Sequence, residues 1–128
     1  MRTTSVVRSV AGARVGVGLA LTVATRPVLR LTVRGEPHSA PLVLFARTVG
    51  IRDLVFGAAA FAAAGRPDEA RNLRRWLAAW LVSDVADVAA AALAPPDTNR
   101  SGAIAAAAAP LPFVAAGIWA LRRLVDRS

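Results

Sequence analysis

Four apolar stretches leave this chain few ways to fold. Ser9–Thr25, Pro41–Gly65, Trp76–Ala94 and Ser101–Leu121 run for 17, 25, 19 and 21 residues. A helix needs roughly 17–25 residues to cross the hydrocarbon core of a bilayer. None of the stretches alternates polar and apolar residues at period two, so barrel strands are not expected. The apolar share of the chain is 55%, and it consists mainly of Ala, Val and Leu. That composition suits helices that approach closely rather than a core of large side chains.

The breaks carry turn chemistry. "TRPVLRLTVRGEPHSAP" holds three prolines and a glycine, "GRPDEARNLRR" begins with Gly65 and Pro67, and "PPDTNR" is short. Pro67 is expected to open the third helix, with Asp68 and Glu69 in its first turn, where the helix dipole favours negative charge. Short links make antiparallel neighbours. The expectation is one integral membrane domain over residues 1–128, an all-α, four-helix transmembrane up-and-down bundle. Arg2 and Arg8 precede the first stretch as they would in a signal peptide. Arg14 interrupts it, however, and no small-x-small cleavage site follows, so an uncleaved helix is expected.

Charge sets the orientation. The net charge is +8 and every basic residue is Arg. Such a balance raises nucleic acid as a partner, but the arginines gather at the ends of apolar stretches and form no stripe with interleaved aromatics. A membrane is the better fit. With the N-terminus inside, Arg2, Arg8, Arg66, Arg71, Arg74, Arg75, Arg122, Arg123 and Arg127 lie on the cytoplasmic side, against Arg26, Arg30, Arg34 and Arg100 outside. That bias places both termini in the cytoplasm, with Trp76 and Trp119 at the interface. Arg66, Arg71, Arg74, Arg75, Arg122 and Arg123 form a surface suited to anionic lipid headgroups. The segment "RPVLRLTVR" is expected to lie flat on the outer face with its leucines and valines dipped in.

Six ionisable residues remain inside the stretches: Arg14, Arg47, Arg52, Asp53, Asp84 and Asp87. Each would cost at least about 2.5–3.5 kcal/mol facing lipid at the bilayer centre. Three positive and three negative charges suggest internal pairing. Antiparallel register puts Arg52 level with Asp84, and Arg47 level with Asp87 unless Arg47 snorkels outward. Asp53 projects elsewhere and is assigned Arg14. Asp84 and Asp87 share a helix face, with Trp80 on the same side. Gly50 and Gly57 flank Asp53, and Gly12 and Gly16 make a small-xxx-small pattern on the first helix, so these four glycines are the expected packing contacts.

The run "ARTVGIRDLVFGAAAF", followed by "LVSDVADVAAA", resembles a family of small four-helix bacterial membrane proteins of unknown function. Its pattern is Arg-x-x-Gly-x-Arg-Asp-x-x-x-Gly on the second helix and Asp-x-x-Asp on the third. The matching positions are Arg47, Gly50, Arg52, Asp53, Gly57, Asp84 and Asp87. The resemblance covers about residues 9–122. It implies a fold and a multi-pass location in the cell membrane, but no activity.

No enzyme chemistry is legible. The chain has no cysteine, and its single histidine, His38, stands in a polar loop. Ser83 beside Asp84 lacks a base. No phosphate loop or metal-ligand spacing occurs, and no cofactor is implied. The expected function is non-enzymatic: a protein that packs against itself or a membrane partner around a buried Arg/Asp network. The alternative is a small-solute or proton-coupled carrier using Asp84 and Asp87.

Overall fold

The computed structural model describes residues 3–34, 38–66 and 70–125. Among these the chain is helical, without strands: α1 (Thr3–Val23), α2 (Thr25–Thr32), α3 (Ala40–Ala64), α4 (Ala70–Ala92), α5 (Arg100–Ala108) and α6 (Leu111–Val125). Arg2, Arg127, Pro67, Asp68 and Glu69, which carry some of the charge and capping expectations, lie outside the described residues.

Local chemistry sets the boundaries. Ser39 caps α3 by accepting from the backbone N–H of Leu42 at 3.3 Å, with Pro41 in the first turn. Asn99 caps α5 by accepting from the N–H of Gly102 at 3.0 Å. These side chains satisfy donors that the first helical turn leaves open. Two prolines account for the breaks. Pro27 has no N–H to bond back across Ala24, where the first expected span bends into the separate helix α2. Pro110 interrupts the fourth span in the same way, between α5 and α6.

The helices pack in a ring. α1 lies along α3, α3 along α4, and α4 along α5 and α6, while α6 closes against α1. Gly57 meets Ala11 and Gly50 meets Gly18, so α1 and α3 run antiparallel. The buried residues of α3 are Val43, Ala46, Gly50, Asp53, Gly57, Ala60 and Ala64, with Ala63 beside them. Their alternating steps of three and four describe the seam of a left-handed helix pair. The matching stripe on α1 is Val7, Ala11, Arg14 and Gly18.

This seam corrects the expected glycine contacts on the first helix. A Cβ on Gly16 would meet nothing within 4 Å, and one on Gly12 would touch only the Phe61 ring, at 3.9 Å. Gly18 makes the close approach instead. A Cβ there would lie 2.5 Å from the Leu54 nitrogen and 2.6 Å from the Gly50 carbonyl oxygen. On α3, Gly50 and Gly57 do pack against α1: added Cβ atoms would come within 2.8 Å of the Gly18 and Ala11 carbonyl oxygens.

α2 departs from a flat surface segment. Leu29 is buried against Val43 and Ala46, with Leu21, Val33 and Leu42 around it, and Leu31 projects outward. The following chain is tied to α5, where the Ser101 hydroxyl donates to the Arg34 carbonyl at 2.9 Å. Two helical segments, Thr3–Val23 and Arg100–Leu124, are long and apolar enough to cross a membrane. α3 and α4 carry five of the six internal charges and are not among these two, so four membrane-crossing helices remain an expectation.

Candidate functional site: a buried charge cluster

The centre of the ring is polar. Arg14 and Asp84 are each 1% exposed and Asp53 is 7% exposed, more deeply buried than most apolar side chains. Each belongs to the inward stripe of its own helix. Arg14 lies between Ala11 and Gly18 on α1, Asp53 between Gly50 and Gly57 on α3, and Asp84 four residues after Trp80 on α4. The close α1–α3 seam brings the guanidinium to both acids.

Arg14 grips Asp84 with two nitrogens, Nη1 donating to Oδ2 at 2.6 Å and Nη2 to Oδ1 at 2.5 Å. Nη2 also donates to Oδ1 of Asp53 at 2.7 Å. Parallel N–H···O bonds of this kind are among the strongest between side chains. Aromatic rings enclose the cation. The guanidinium carbon lies 4.8 Å from the Trp80 ring centre, 5.0 Å from Phe113 and 5.9 Å from Phe56. Trp80 and Phe113 meet edge to face at 6.0 Å. A cation against ring faces gains from the ring quadrupole, more so where water is excluded.

A second pair flanks the first. Arg52 donates to both oxygens of Asp87, from Nη1 at 2.9 Å and from Nη2 at 2.5 Å, and Nη2 reaches Asp53 at 3.5 Å. The two side chains are 27% and 30% exposed. Three buried donors, Nε of Arg14, Nε of Arg52 and Nε1 of Trp80, have no acceptor among the described residues.

The structure therefore rearranges the expected pairing. Arg14 does bind Asp53, as assigned. Asp84, however, belongs to Arg14 rather than Arg52, and Arg52 belongs to Asp87. Equal depth was an incomplete criterion. Arg14, Asp53 and Asp84 occupy inward stripes and meet there, while Arg52 and Asp87 sit on adjoining flanks of α3 and α4 and meet outside them. Arg47 does not join the cluster. It is exposed, and its Nε donates to the Thr25 hydroxyl at 3.2 Å. His38 is half-buried, with Nε2 3.1 Å from the Val33 carbonyl oxygen.

The basic residues expected on one side do share one end of the ring. Arg66 follows α3, Arg71, Arg74 and Arg75 open α4, and Arg122 and Arg123 close α6. Arg8 lies near them, 4.6 Å above the Phe61 ring. Trp76 packs against Phe56 with ring centres 6.4 Å apart, and Trp119 is partly exposed. No group of His, Asp or Glu among the described residues is arranged to hold a metal ion.

Gly18, Phe56 and Phe113 were missed as partners of the cluster. Gly18 could have been found from Arg14 itself, because it lies one turn further along the same face. No family model matches this chain, and no curated protein or solved structure matches it either.

Proposed function

We propose that the protein is a multi-pass integral membrane protein without enzymatic activity, whose helices are held in register by the Arg14–Asp84–Asp53 cluster. One observation carries this reading: charge lies inside and oil outside. Val17 and Leu19 on α1, Leu44, Ile51 and Val55 on α3, Val82 and Val85 on α4, and Ile104 and Ile118 on the last two helices are all exposed. Water would penalise such a surface on a protein this small, whereas hydrocarbon would not. The outward apolar face then meets lipid, a second copy or another membrane protein. The likeness to small four-helix membrane proteins agrees with this reading but rests on the motif alone.

In this reading the arginine-rich end is cytoplasmic and sits against anionic headgroups. α3 and α4 cross the membrane despite Arg52, Asp53, Asp84 and Asp87 because these four charges are paired within the ring, and Arg47, which is exposed and bonded to Thr25, reaches toward the interface. Alkaline carbonate extraction of membranes tests the location: the protein should stay in the pellet. A reporter active only outside the cytoplasm, fused after Ser128, should be silent. Recovery as a monodisperse protein without detergent would overturn the reading. A carrier built on Asp84 and Asp87 is the second reading, yet each of those acids is gripped through both oxygens by an arginine.

A further inference from the structure

The cluster of one chain does not balance its own formal charge. Two guanidinium groups, Arg14 and Arg52, face three carboxylates, Asp53, Asp84 and Asp87. The sixth internal charge, Arg47, stands apart. It is exposed, its Nε is held by the Thr25 hydroxyl at 3.2 Å, and no carboxylate among the described residues pairs with it. The cluster is also open on one flank, where the Arg52 and Asp87 side chains are 27% and 30% exposed. Charges at membrane depth are costly against hydrocarbon and are normally covered by protein.

α3 carries the lone cation and the open pair on opposite flanks of one outward line. Leu44, Thr48, Ile51 and Val55 are all exposed, at steps of four, three and four, the spacing of a left-handed helix seam. The Thr48 hydroxyl is turned back onto the Leu44 carbonyl at 3.0 Å, so the line asks for no polar partner. Arg47 lies on the side toward α2, through Thr25, and Arg52 on the side toward α4, through Asp87. The two arginines are about 140° apart around the helix, with the apolar line between them. α4 runs antiparallel to α3, Phe56 meeting Trp76 and Arg52 meeting Asp87. Asp87 therefore stands about level with Thr48, within one turn of Arg47 in depth.

We propose that α3 joins two copies of this chain about a two-fold axis along the membrane normal, with Arg47 of each copy completing the charge cluster of the other at Asp87. In a parallel helix pair opposite flanks meet, as the residues beside a coiled-coil seam do, and the two-fold axis makes the contact twice. Each cluster then has three guanidinium groups for its three carboxylates, and the open Arg52–Asp87 flank is covered by protein. Lipid tails would cover the apolar line but bring no cation to Asp87. The pairing rests on the membrane reading, because a part-exposed ion pair in water needs no cover. It follows mass action, so this face of α3 meets lipid in sparsely populated bilayers and its copy in crowded ones.

The test is oxidative crosslinking of single cysteines in the full chain, in phosphatidylcholine bilayers at rising chain-to-lipid ratio. The chain has no cysteine of its own. Thr48→Cys, on the proposed seam, should give a disulfide-linked dimer, and Val82→Cys, exposed on α4, should give little. Adding Arg47→Gln to Thr48→Cys should cut the dimer by about tenfold or more, as loss of one partner of a desolvated charge pair does. Arg47→Lys, which keeps the charge, should retain most of it. Both variants should keep wild-type helicity by circular dichroism, because Arg47 is exposed. If Thr48→Cys crosslinks no better than Val82→Cys while carbonate-washed membranes retain the protein, the pairing falls and the membrane reading stands. Loss of the protein from the pellet removes both. A dimer undiminished by Arg47→Gln, or one lost equally in Arg47→Lys, overturns the charge contact.

Discussion

Removing Arg14 should be the most damaging single change at the cluster. Arg14→Met keeps much of the aliphatic stem but strands Asp84, at 1% exposure, and leaves Asp53, at 7%, only its 3.5 Å contact with Arg52. Breaking a buried ion pair by deleting one partner costs about 3–5 kcal/mol, a large part of a typical total of about 5–15 kcal/mol. Asp84→Leu should cost less, because Arg14 still holds Asp53 at 2.7 Å. Since the two residues share one grip, the double variant should recover about 1–3 kcal/mol relative to the sum of the singles. The assay is unfolding from mixed detergent micelles, followed by far-ultraviolet circular dichroism. A parallel cycle on Arg52 and Asp84, which make no ion pair, should give a smaller coupling. If Arg14 and Asp84 prove additive, or if Arg52 and Asp84 couple more strongly, the pairing described here is wrong.

Three further outcomes follow from the same geometry. Gly18→Ala would force a methyl against backbone atoms at 2.5–2.6 Å and should cost about 1–3 kcal/mol by overpacking, whereas Gly16→Ala, which meets nothing, should be neutral or gain up to about 1 kcal/mol from helix propensity; thermal melting of the two variants checks both. Asp87→Leu discriminates between environments. It leaves Arg52 on a partly open flank, costing about 1 kcal/mol or less in water but about 2.5–3.5 kcal/mol against hydrocarbon, and the membrane reading predicts the larger value in bilayer unfolding measurements. The wild type should melt at a higher temperature in anionic than in neutral lipid, a gain that added salt should screen away, and replacing Arg71, Arg75, Arg122 and Arg123 with glutamine should abolish it.

The helical class was legible in the sequence because long apolar runs and turn residues are local signals. Pairing was legible only in part. Index sums along antiparallel helices put Arg52 near Asp84, but depth ignores direction around the helix. The stripe through Gly50, Asp53 and Gly57 marks the inward face of α3, and Arg52 stands about 100° off it. The same test applied to Arg14 would have rejected Gly12 and Gly16, which sit two residues to either side and so project to the opposite face, about 200° round. Once Arg14 is taken as inward, Ala11 and Gly18 follow. The aromatic enclosure of Arg14 was harder to foresee, because Phe56, Trp80 and Phe113 come from three helices whose relative rotation no local pattern records. α2 was legible as amphipathic but not as a packed element, since Leu29 and Leu31 look alike until Val43 and Ala46 are placed beside one of them.

The central claim is that the outer face of the ring meets lipid while its charges face inward. The chain has no cysteine, so single cysteines can carry a nitroxide label without background. Labels at Ile51 and Val82, both exposed and apolar, should relax readily with oxygen and poorly with a water-soluble nickel chelate when the protein is in bilayers. A label at Asp97, in the turn between α4 and α5, should show the reverse. Strong nickel accessibility at Ile51 and Val82 would mean that water bathes this face, and would contradict the account.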